Sequence, residues 1–293
     1  MKKINNRIYG TLVARVAYRL ILGRPVDTGA LKDWRRKISD DRSWKFALVS
    51  SLFVSEEYKD RLRNCAHGAD LLLNFIHSER CELVRNLPEA RFIVDLGGSA
   101  PNNPYGALLG MGYPHEFEQL LIVDLPAGMS VEQSPTVDCY DVVPTASGAI
   151  RYVYRNMCEI DAIGLRENSV DLFWMGQSVE HIEARQFETL LASIYKYLKP
   201  GGHFCFDTPN RRITAIQSPE AFIHPEHKIE YFYQDLIHKL SQTGFEIVQT
   251  IGIGRAEEVI CQNQFLPHTI IRNIRMNPFP ERSYIFYFDA CKP

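Results

Sequence analysis

The stretch "RFIVDLGGSAPNNPYG", Arg91 to Gly106, decides how the rest of the chain is read. Its apolar run reaches an acid at Asp95 and breaks at Gly97 and Gly98. Glycines behind a buried strand let the backbone turn sharply and approach a ligand with no Cβ in the way. Four more short apolar runs end in the same manner, at Gly, Pro or beside an acid: "QLLIVDLP" (119–126), "IRYVYRNM" (150–157), "SVDLFWMG" (169–176) and "GHFCFDTP" (202–209). Helical or loop stretches separate them, which is the pattern of a parallel sheet covered on both faces.

Towards the C-terminus, "RQFETLLASIYKYLKPGG" (185–202) reads as a helix with a glycine stop. "YFYQDLIHKLSQTG" (231–244) is a second helix, leading into the strand "FEIVQTIGI" (245–253), and "SYIFYFDAC" (283–291) is the last strand. "GIGRAE" at Gly252 lacks the third glycine of a dinucleotide fingerprint and reads as a loop. Together the runs predict an α/β, doubly wound, mostly parallel seven-stranded sheet over residues 69–293. Residues 1–68 form a separate small all-helical domain in this reading. Its helices are signalled by Ile8, Leu12, Val16 and Leu20 at helical spacing, by Asp27 or Thr28 as an N-cap after Pro25, and by Trp34, Trp44, Phe46, Phe53 and Tyr58 as core aromatics.

Composition narrows the functional classes. A net charge of −2 argues against a nucleic-acid partner held by counterion release. Seven cysteines, odd in number and never spaced C-x-x-C, read as reduced thiols of a cytoplasmic protein rather than a disulfide framework or zinc site. Arg15 and Arg19 interrupt the apolar N-terminal segment, so it is not read as a signal peptide. No uncharged apolar run reaches the ~18 residues of a membrane span, although the N-terminal helix has a composition compatible with peripheral membrane contact.

In open α/β sheets ligands bind beyond the carboxyl ends of the strands. The residues there are Asp95, Gly97, Gly98 and Ser99; Asp124; Asn156 and Met157; Gln177, Glu180 and His181; and Asp207, Thr208 and Asn210. A carboxylate at the end of the second strand, as at Asp124, is placed to accept ribose hydroxyl hydrogens. Asp124 is the firmest of these assignments, because an unpaired acid there is costly unless a ligand or donor meets it. Asn156 and Met157 suit an adenine edge and face. A second cluster, "HPEHKIEYF" (224–232), adds His224, His227, Glu230 and Tyr231 on the loop after the fifth strand. The cluster suits a polar, hydroxyl-rich or anionic acceptor or a divalent cation; H-x-x-H-x-x-E is not a standard metal spacing, so the metal is the lesser reading and no metal ligand is assigned.

"VDLGGS", "IVDLP", "NSVDLFWMGQSVEHI", "YLKPGGHFCFDTPN" and "GFEIV", in that order, resemble a class I S-adenosylmethionine-dependent methyltransferase from about Arg91 onward. The departure is at Ser99 and Pro101, where the usual acid-x-Gly-x-Gly-x-Gly has glycines. Gly98 falls at a variable position of that pattern. The resemblance implies S-adenosylmethionine as cofactor, met by Asp95, Gly97, Gly98, Ser99, Asp124, Leu125, Asn156, Met157 and Gln177. It implies a catalytic group among Glu180, His181, His224 and His227. His181 is read either as a general base or as a helix cap, and Glu180 either as catalytic or as a partner of Arg185. Asp171 is read either as facing the cofactor or as bonding backbone, and Trp174 as core.

The "TPN-x-R" strand end at Thr208–Arg212 is similar to methyltransferases found among bacterial polysaccharide enzymes. That similarity implies O-methylation of a sugar hydroxyl of a glycan or its precursor, with Tyr105, Asp207, Asn210, Arg211, Glu230 and Tyr231 around the acceptor. Two alternatives stand beside it: a non-catalytic adapter with a degenerate methyltransferase domain, and a small-molecule or lipid methyltransferase. "YRLILGRPVDTGALKDW" (18–34) with "SLFVSEEY" (51–58) is similar to the small helical domain related to phycobilisome linkers, which implies an accessory role and a possible protein partner.

Overall fold

A computed structural model describes residues 2–22, 26–37, 43–53, 55, 66–100, 103–125, 140–145 and 147–293. The sequence readings at Gly23, Pro25, Tyr58, Pro101 and Asn102, and for the side chains of Ile8, Leu20, Phe46 and Phe53, lie outside the described residues. The chain divides into two compact units, Met1–Leu73 with Leu266–His268, and Asn74–Phe265 with Thr269–Pro293.

The first unit holds α1 (Lys2–Ala17), which continues through a π-helical turn at Tyr18–Leu22, then α2 (Thr28–Lys37) and α3 (Ser43–Phe53). Asp27 Oδ1 accepts the Ala30 amide at 2.7 Å, which caps α2. Ala14, Tyr18, Leu22, Leu31, Trp34, Trp44, Leu48 and Leu52 are buried. The stripe expected from periodicity is not the inward one. Leu12 is 59% and Val16 47% exposed, while Ala14, Ala17 and Tyr18 face inward at i, i+3 and i+4.

α4 (Ala66–Val84) crosses the division in sequence and buries Ile76, Leu83 and Val84 in the second unit. That unit is one mixed sheet of nine strands: β1 (Phe92–Leu96), β2 (Gln119–Asp124), β3 (Tyr140–Pro144), β4 (Ala149–Tyr154), β5 (Val170–Gly176), β6 (Leu198–Pro209), β7 (Glu246–Arg255), β8 (Met276–Asn277) and β9 (Ser283–Cys291). The order is β3-β4-β2-β1-β5-β6-β9-β7-β8. The expected seven are all present, and the two additions lie at the edges, β3 antiparallel to β4 and the two-residue β8 antiparallel to β7. A two-residue strand carries no periodicity to read. β9 runs antiparallel between β6 and β7, so the sheet is mixed rather than mostly parallel. Gly252–Arg255, read as loop, pairs with β8 and β9 inside β7.

Alternate strand positions, among them Val94, Leu96, Leu121, Val123, Phe173, Met175, Phe204, Phe206, Phe286 and Phe288, form one apolar cluster with two helices. These are α6 (Ala184–Tyr197) and α8 (Tyr233–Thr243). A capping box between Glu183 and Gln186 starts α6, and Phe187, Leu190, Leu191 and Ile194 make its buried face at i, i+3, i+4 and i+7. Each fully buried side chain of this kind contributes roughly 1.5–3 kcal/mol. The intervening positions Ile93, Ile122, Leu172, Trp174 and Cys205 are buried as well, which is why the strands read as continuous apolar runs. Asp95 and Asp207 interrupt that second face. Because β1 lies between β2 and β5, the chain reverses its winding direction beside β1, and the carboxyl ends there are where a sheet of this kind places its ligand crevice. Among the described residues no helix is long and apolar enough to cross a membrane.

Candidate functional site

The first loop is shaped by two glycines. Gly97 has φ +78°, and a Cβ on it would lie 2.5 Å from Ser178 Oγ. A Cβ on Gly98 would overlap the Asp95 carboxylate. Gly98 is therefore required sterically, although the family pattern marks its position as variable. The following segment folds back on this turn: the Ala107 amide, in the short helix α5 (Gly106–Gly110), donates to Gly98 O at 2.8 Å, and the Tyr152 hydroxyl donates to Pro104 O at 3.0 Å. Tyr105 is 45% exposed at the start of that helix.

Asp95 is 1% exposed, and its Oδ2 has no hydrogen-bond partner. Burial, helped by the neighbouring Asp124 charge, pushes its pKa up to about 8, against the opposing Leu108 amide and Arg80. Asp124, at the end of β2, accepts the Ser99 amide on Oδ2 (2.9 Å) and the Leu125 amide on Oδ1 (2.8 Å). A carboxylate offers about four acceptor positions, so each oxygen keeps one for a ligand hydroxyl. Met157 Sδ lies 3.6 Å from where a Gly97 Cβ would sit. Asn156 is buried beside it, and its Oδ1 accepts the Cys158 amide at 3.0 Å, so that oxygen opens the 3₁₀ turn Met157–Ile163.

Beneath the crevice lies an ion pair with no signal in the sequence. Arg80 of α4 bonds both oxygens of Asp207. Gln177, held at φ +57°, donates to Asp207 through its Nε2 (3.1 Å) and its amide (3.0 Å, to the backbone oxygen). Asp207 is 0% exposed, so it anchors the Gln177 turn instead of reaching an acceptor. Asp171 accepts the Phe92 amide and Lys199 Nζ at the opposite end of the sheet, which removes it from the cofactor side, and Trp174 is core.

The β5 and β6 ends converge on a histidine cluster. Glu180 is buried and accepts the Thr208 hydroxyl at 2.9 Å. Burial raises its pKa to about 7. His181 lies with its ring centroid 5.0 Å from that of His227 and 6.1 Å from that of His224. Burial, and then the neighbouring His227, hold His181 below the usual imidazole range, which favours the neutral form. His227 Nδ1 is 2.9 Å from Glu230 Oε1. Glu230 also receives Thr214, the Ile223 amide and Arg211. Burial would raise its pKa, but these bonds outweigh it and the carboxyl sits below its ordinary value. One ligand atom each from Glu180, His181 and His227 lie within 4.8 Å of one another.

Burial turns several of the residues expected around the acceptor inward. Asn210 is 1% exposed, with Oδ1 on the Arg212 amide and Nδ2 on the carbonyls of Ser283 and Pro280. Tyr231 is 2% exposed and packs on Phe187, its hydroxyl without a partner. Glu230 is likewise buried and acts through His227 and Arg211. Sequence reasoning missed Arg80, Ser178 and Thr214. Only Ser178, next to Gln177 at a strand end, carried a usable signal.

The methyltransferase-domain family model matches residues 119–206, from the start of β2 into β6. A curated protein of Mycolicibacterium smegmatis named "Probable S-adenosylmethionine-dependent methyltransferase" is 31% identical over 120 residues, 39% of this chain and 44% of its own. Residues 119–206 thus carry the pattern of a methyltransferase domain. Solved structures share the fold of this methyltransferase domain. A SAM-dependent methyltransferase from Archaeoglobus fulgidus has 17% identity and a TM-score of 0.50, over 75% of this chain and 94% of that one. A chain from the complex of the Haloferax volcanii Trm112 methyltransferase activator with a methyltransferase has 14% identity and a TM-score of 0.51, over 80% and 97%. The chain spans less than half the length of the curated relative. The family match begins after the Gly97 loop, the segment where Ser99 and Pro101 depart from the usual glycines. The methyltransferase domain nevertheless fits its methyl donor: a buried, unpartnered Asp95 oxygen is what a cationic ligand would satisfy.

Proposed function

We propose that the protein is an S-adenosylmethionine-dependent O-methyltransferase of a sugar hydroxyl in a bacterial glycan or its precursor. The observation that carries the reading is the Asp124 carboxylate, fixed by the Ser99 and Leu125 amides at the end of β2 beside the Gly97 turn. Asp124 and Leu125 would hold the ribose, Met157 the adenine face, and Gly97 to Ser99 with Asp95 the methionine end. When bound, S-adenosylmethionine supplies a methyl group on a sulfonium, an electrophile open to in-line displacement. The chain's task is alignment, which is worth about 7–11 kcal/mol when acceptor and donor are well oriented. Ser178, against Gly97, joins the donor side to Glu180 and His181 two and three residues on. As the acceptor oxygen bonds the methyl carbon, the C–S pair stays on sulfur and the hydroxyl proton passes to an imidazole of the His181, His224 and His227 cluster.

Polar groups favour a hydroxyl-rich acceptor: exposed His224, and Arg211 lying 5.4 Å from the half-exposed Phe222 ring, pair donors with an aromatic face. The helical N-terminal unit would serve as an accessory domain docking a protein partner. Calorimetry with S-adenosylhomocysteine tests the cofactor reading: Asp124→Ala should weaken binding at least about ten-fold, equivalent to ~1.4 kcal/mol. No binding to the intact protein would remove the assignment. Transfer of labelled methyl to a glycan panel tests the acceptor. Labelling only of apolar acceptors, with Arg211→Ala and His224→Ala fully active, would refute it.

A further inference from the structure

We propose that Glu180, His181 and His227 form a binding site for a divalent transition-metal ion, which presents the acceptor oxygen to the methyl group. The inference rests on the methyltransferase reading for the last clause only. The three donors come from two loops far apart in sequence, after β5 and beyond β6, yet their ligand atoms lie within 4.8 Å of one another. Bound to zinc at about 2.0–2.2 Å, such atoms stand roughly 3–4 Å apart, so side-chain rotations of under about an ångström close the set.

The hydrogen bonds behind the cluster are the second observation. His227 gives its Nδ1 to the Glu230 carboxylate, leaving Nε2 for a metal. His181 bonds the Glu226 backbone through its ring, leaving its other nitrogen. A histidine ligand normally has its far nitrogen tied to a carboxylate or a carbonyl in this way, which fixes its tautomer and orientation. Glu230 is braced in turn by Arg211, Thr214 and the Ile223 amide. Glu180 is oriented by the Thr208 hydroxyl. These braces are elaborate for a loop that needs only to cover the sheet edge. They hold two imidazoles and a buried carboxylate with their ligand atoms turned toward one another. Two nitrogens and one carboxylate oxygen suit Mn²⁺, Co²⁺ or Zn²⁺ better than Mg²⁺ or Ca²⁺. Three protein ligands leave open positions for water or substrate.

In this arrangement His181 is a ligand and not the base. The metal lowers the pKa of the bound hydroxyl, and the exposed His224 or water takes its proton. The O–CH₃ bond forms as the CH₃–S bond breaks, sulfur keeps the electron pair, and the metal does not change oxidation state. The spacing rule missed the site because Glu180 belongs to a different strand end, while Glu230, the acid within the motif, lies behind His227.

The test is titration of the chelator-treated full-length protein with Co²⁺, followed by visible d–d absorption and by calorimetry, without cofactor. One equivalent should bind with a Kd at or below the micromolar range, and His181→Gln, His227→Gln and Glu180→Gln should each weaken it at least ten-fold. Glu230→Gln, acting through His227, should weaken it 10–100-fold and alter the spectrum less than His227→Gln does. Thermal melting identifies any variant that fails to fold, and His181→Gln, at the half-exposed edge, then carries the mutational arm. Absence of a spectral change and of binding heat in the wild-type protein overturns the inference, as does binding left unchanged by His181→Gln. S-adenosylhomocysteine titrated separately keeps the two readings apart. Its binding without Co²⁺ uptake sinks only the metal site, and Co²⁺ uptake without its binding sinks only the cofactor reading.

Discussion

Asp95→Asn should remove a loss of stability that the wild-type sheet unit undergoes as pH rises, by an amount the structure specifies. In the folded protein the Asp95 carboxyl is buried beside Asp124 and titrates near pH 8, whereas an unfolded aspartate titrates near its ordinary value of about 4. Between those values the folded state holds a proton that the unfolded chain has released. Stability therefore falls with increasing pH, by about 1.4 kcal/mol per pH unit, and levels off above pH 8. Asparagine keeps the shape and an acceptor for the Leu108 amide but does not titrate. The gap in unfolding free energy between variant and wild type should accordingly widen by up to about 3 kcal/mol from pH 5.5 to pH 7.5. Urea denaturation at several pH values, monitored by tryptophan fluorescence, measures it, because Trp174 lies in the core of this sheet. A gap constant to within about 0.5 kcal/mol would refute the reasoning, since Asp95 would then not carry its proton to neutral pH. The same substitution should weaken S-adenosylhomocysteine binding, because the amide offers a cation less than the unpartnered carboxylate oxygen does.

Arg80→Met leaves Asp207 buried without its cation and should cost about 3–5 kcal/mol, whereas the double variant Arg80→Met/Asp207→Asn should recover more than half, as read by denaturant midpoints. Equal losses in single and double variants would contradict a charge-based cost. Gly98→Ala pushes a methyl into the Asp95 carboxylate and should destabilise by about 1–3 kcal/mol while lowering cofactor affinity; an unchanged melting temperature would show that the loop yields. Tyr231→Phe removes a buried hydroxyl that has no partner and should be neutral or stabilising by about 1 kcal/mol, with methyl transfer intact. A selective loss of transfer would restore Tyr231 to the acceptor site.

Periodicity and strand-end chemistry made the sheet legible. Each of the seven expected runs is a strand, because burial on both faces forces continuous apolar sequence, and the punctuation at Gly97, Asp124 and Gly176 falls where β1, β2 and β5 stop. Edges were harder: β8 is too short to carry a pattern. Within the site, residues whose role is set by the adjacent backbone could be found from sequence, as with Asp124 and Gly97. Residues whose role is set across the fold could not. Asp207 looks like any strand-end acid until Arg80, 127 positions away, is seen against it. Asn210 and Tyr231 look like acceptor contacts because they flank the crevice in sequence, yet one caps helix α7 (Arg211–Gln217) and the other fills core. In α1 Leu12 and Val16 fit a helical stripe in sequence, yet the inward face is the one with Ala14, Ala17 and Tyr18.

The distribution of charge explains why one crevice would serve two kinds of cation. Four acids, Asp95, Asp124, Glu180 and Asp207, gather near the ends of β1, β2, β5 and β6, and Arg80 bonds directly only to Asp207. Asp124 is met by backbone amides and Glu180 by a hydroxyl, while Asp95 keeps an oxygen with no partner. Neutral donors offset desolvation only in part, so burial drives the carboxyls of Asp95 and Glu180 toward protonation. A fold selected for stability alone would replace such groups with apolar residues of similar size. Their retention at the point where the winding reverses is accounted for if positive charge arrives with the ligands. A sulfonium and an ammonium would reach the β1–β2 side, and a metal ion the β5–β6 side. Ser178, wedged against Gly97, is the short bridge that sets the distance between them.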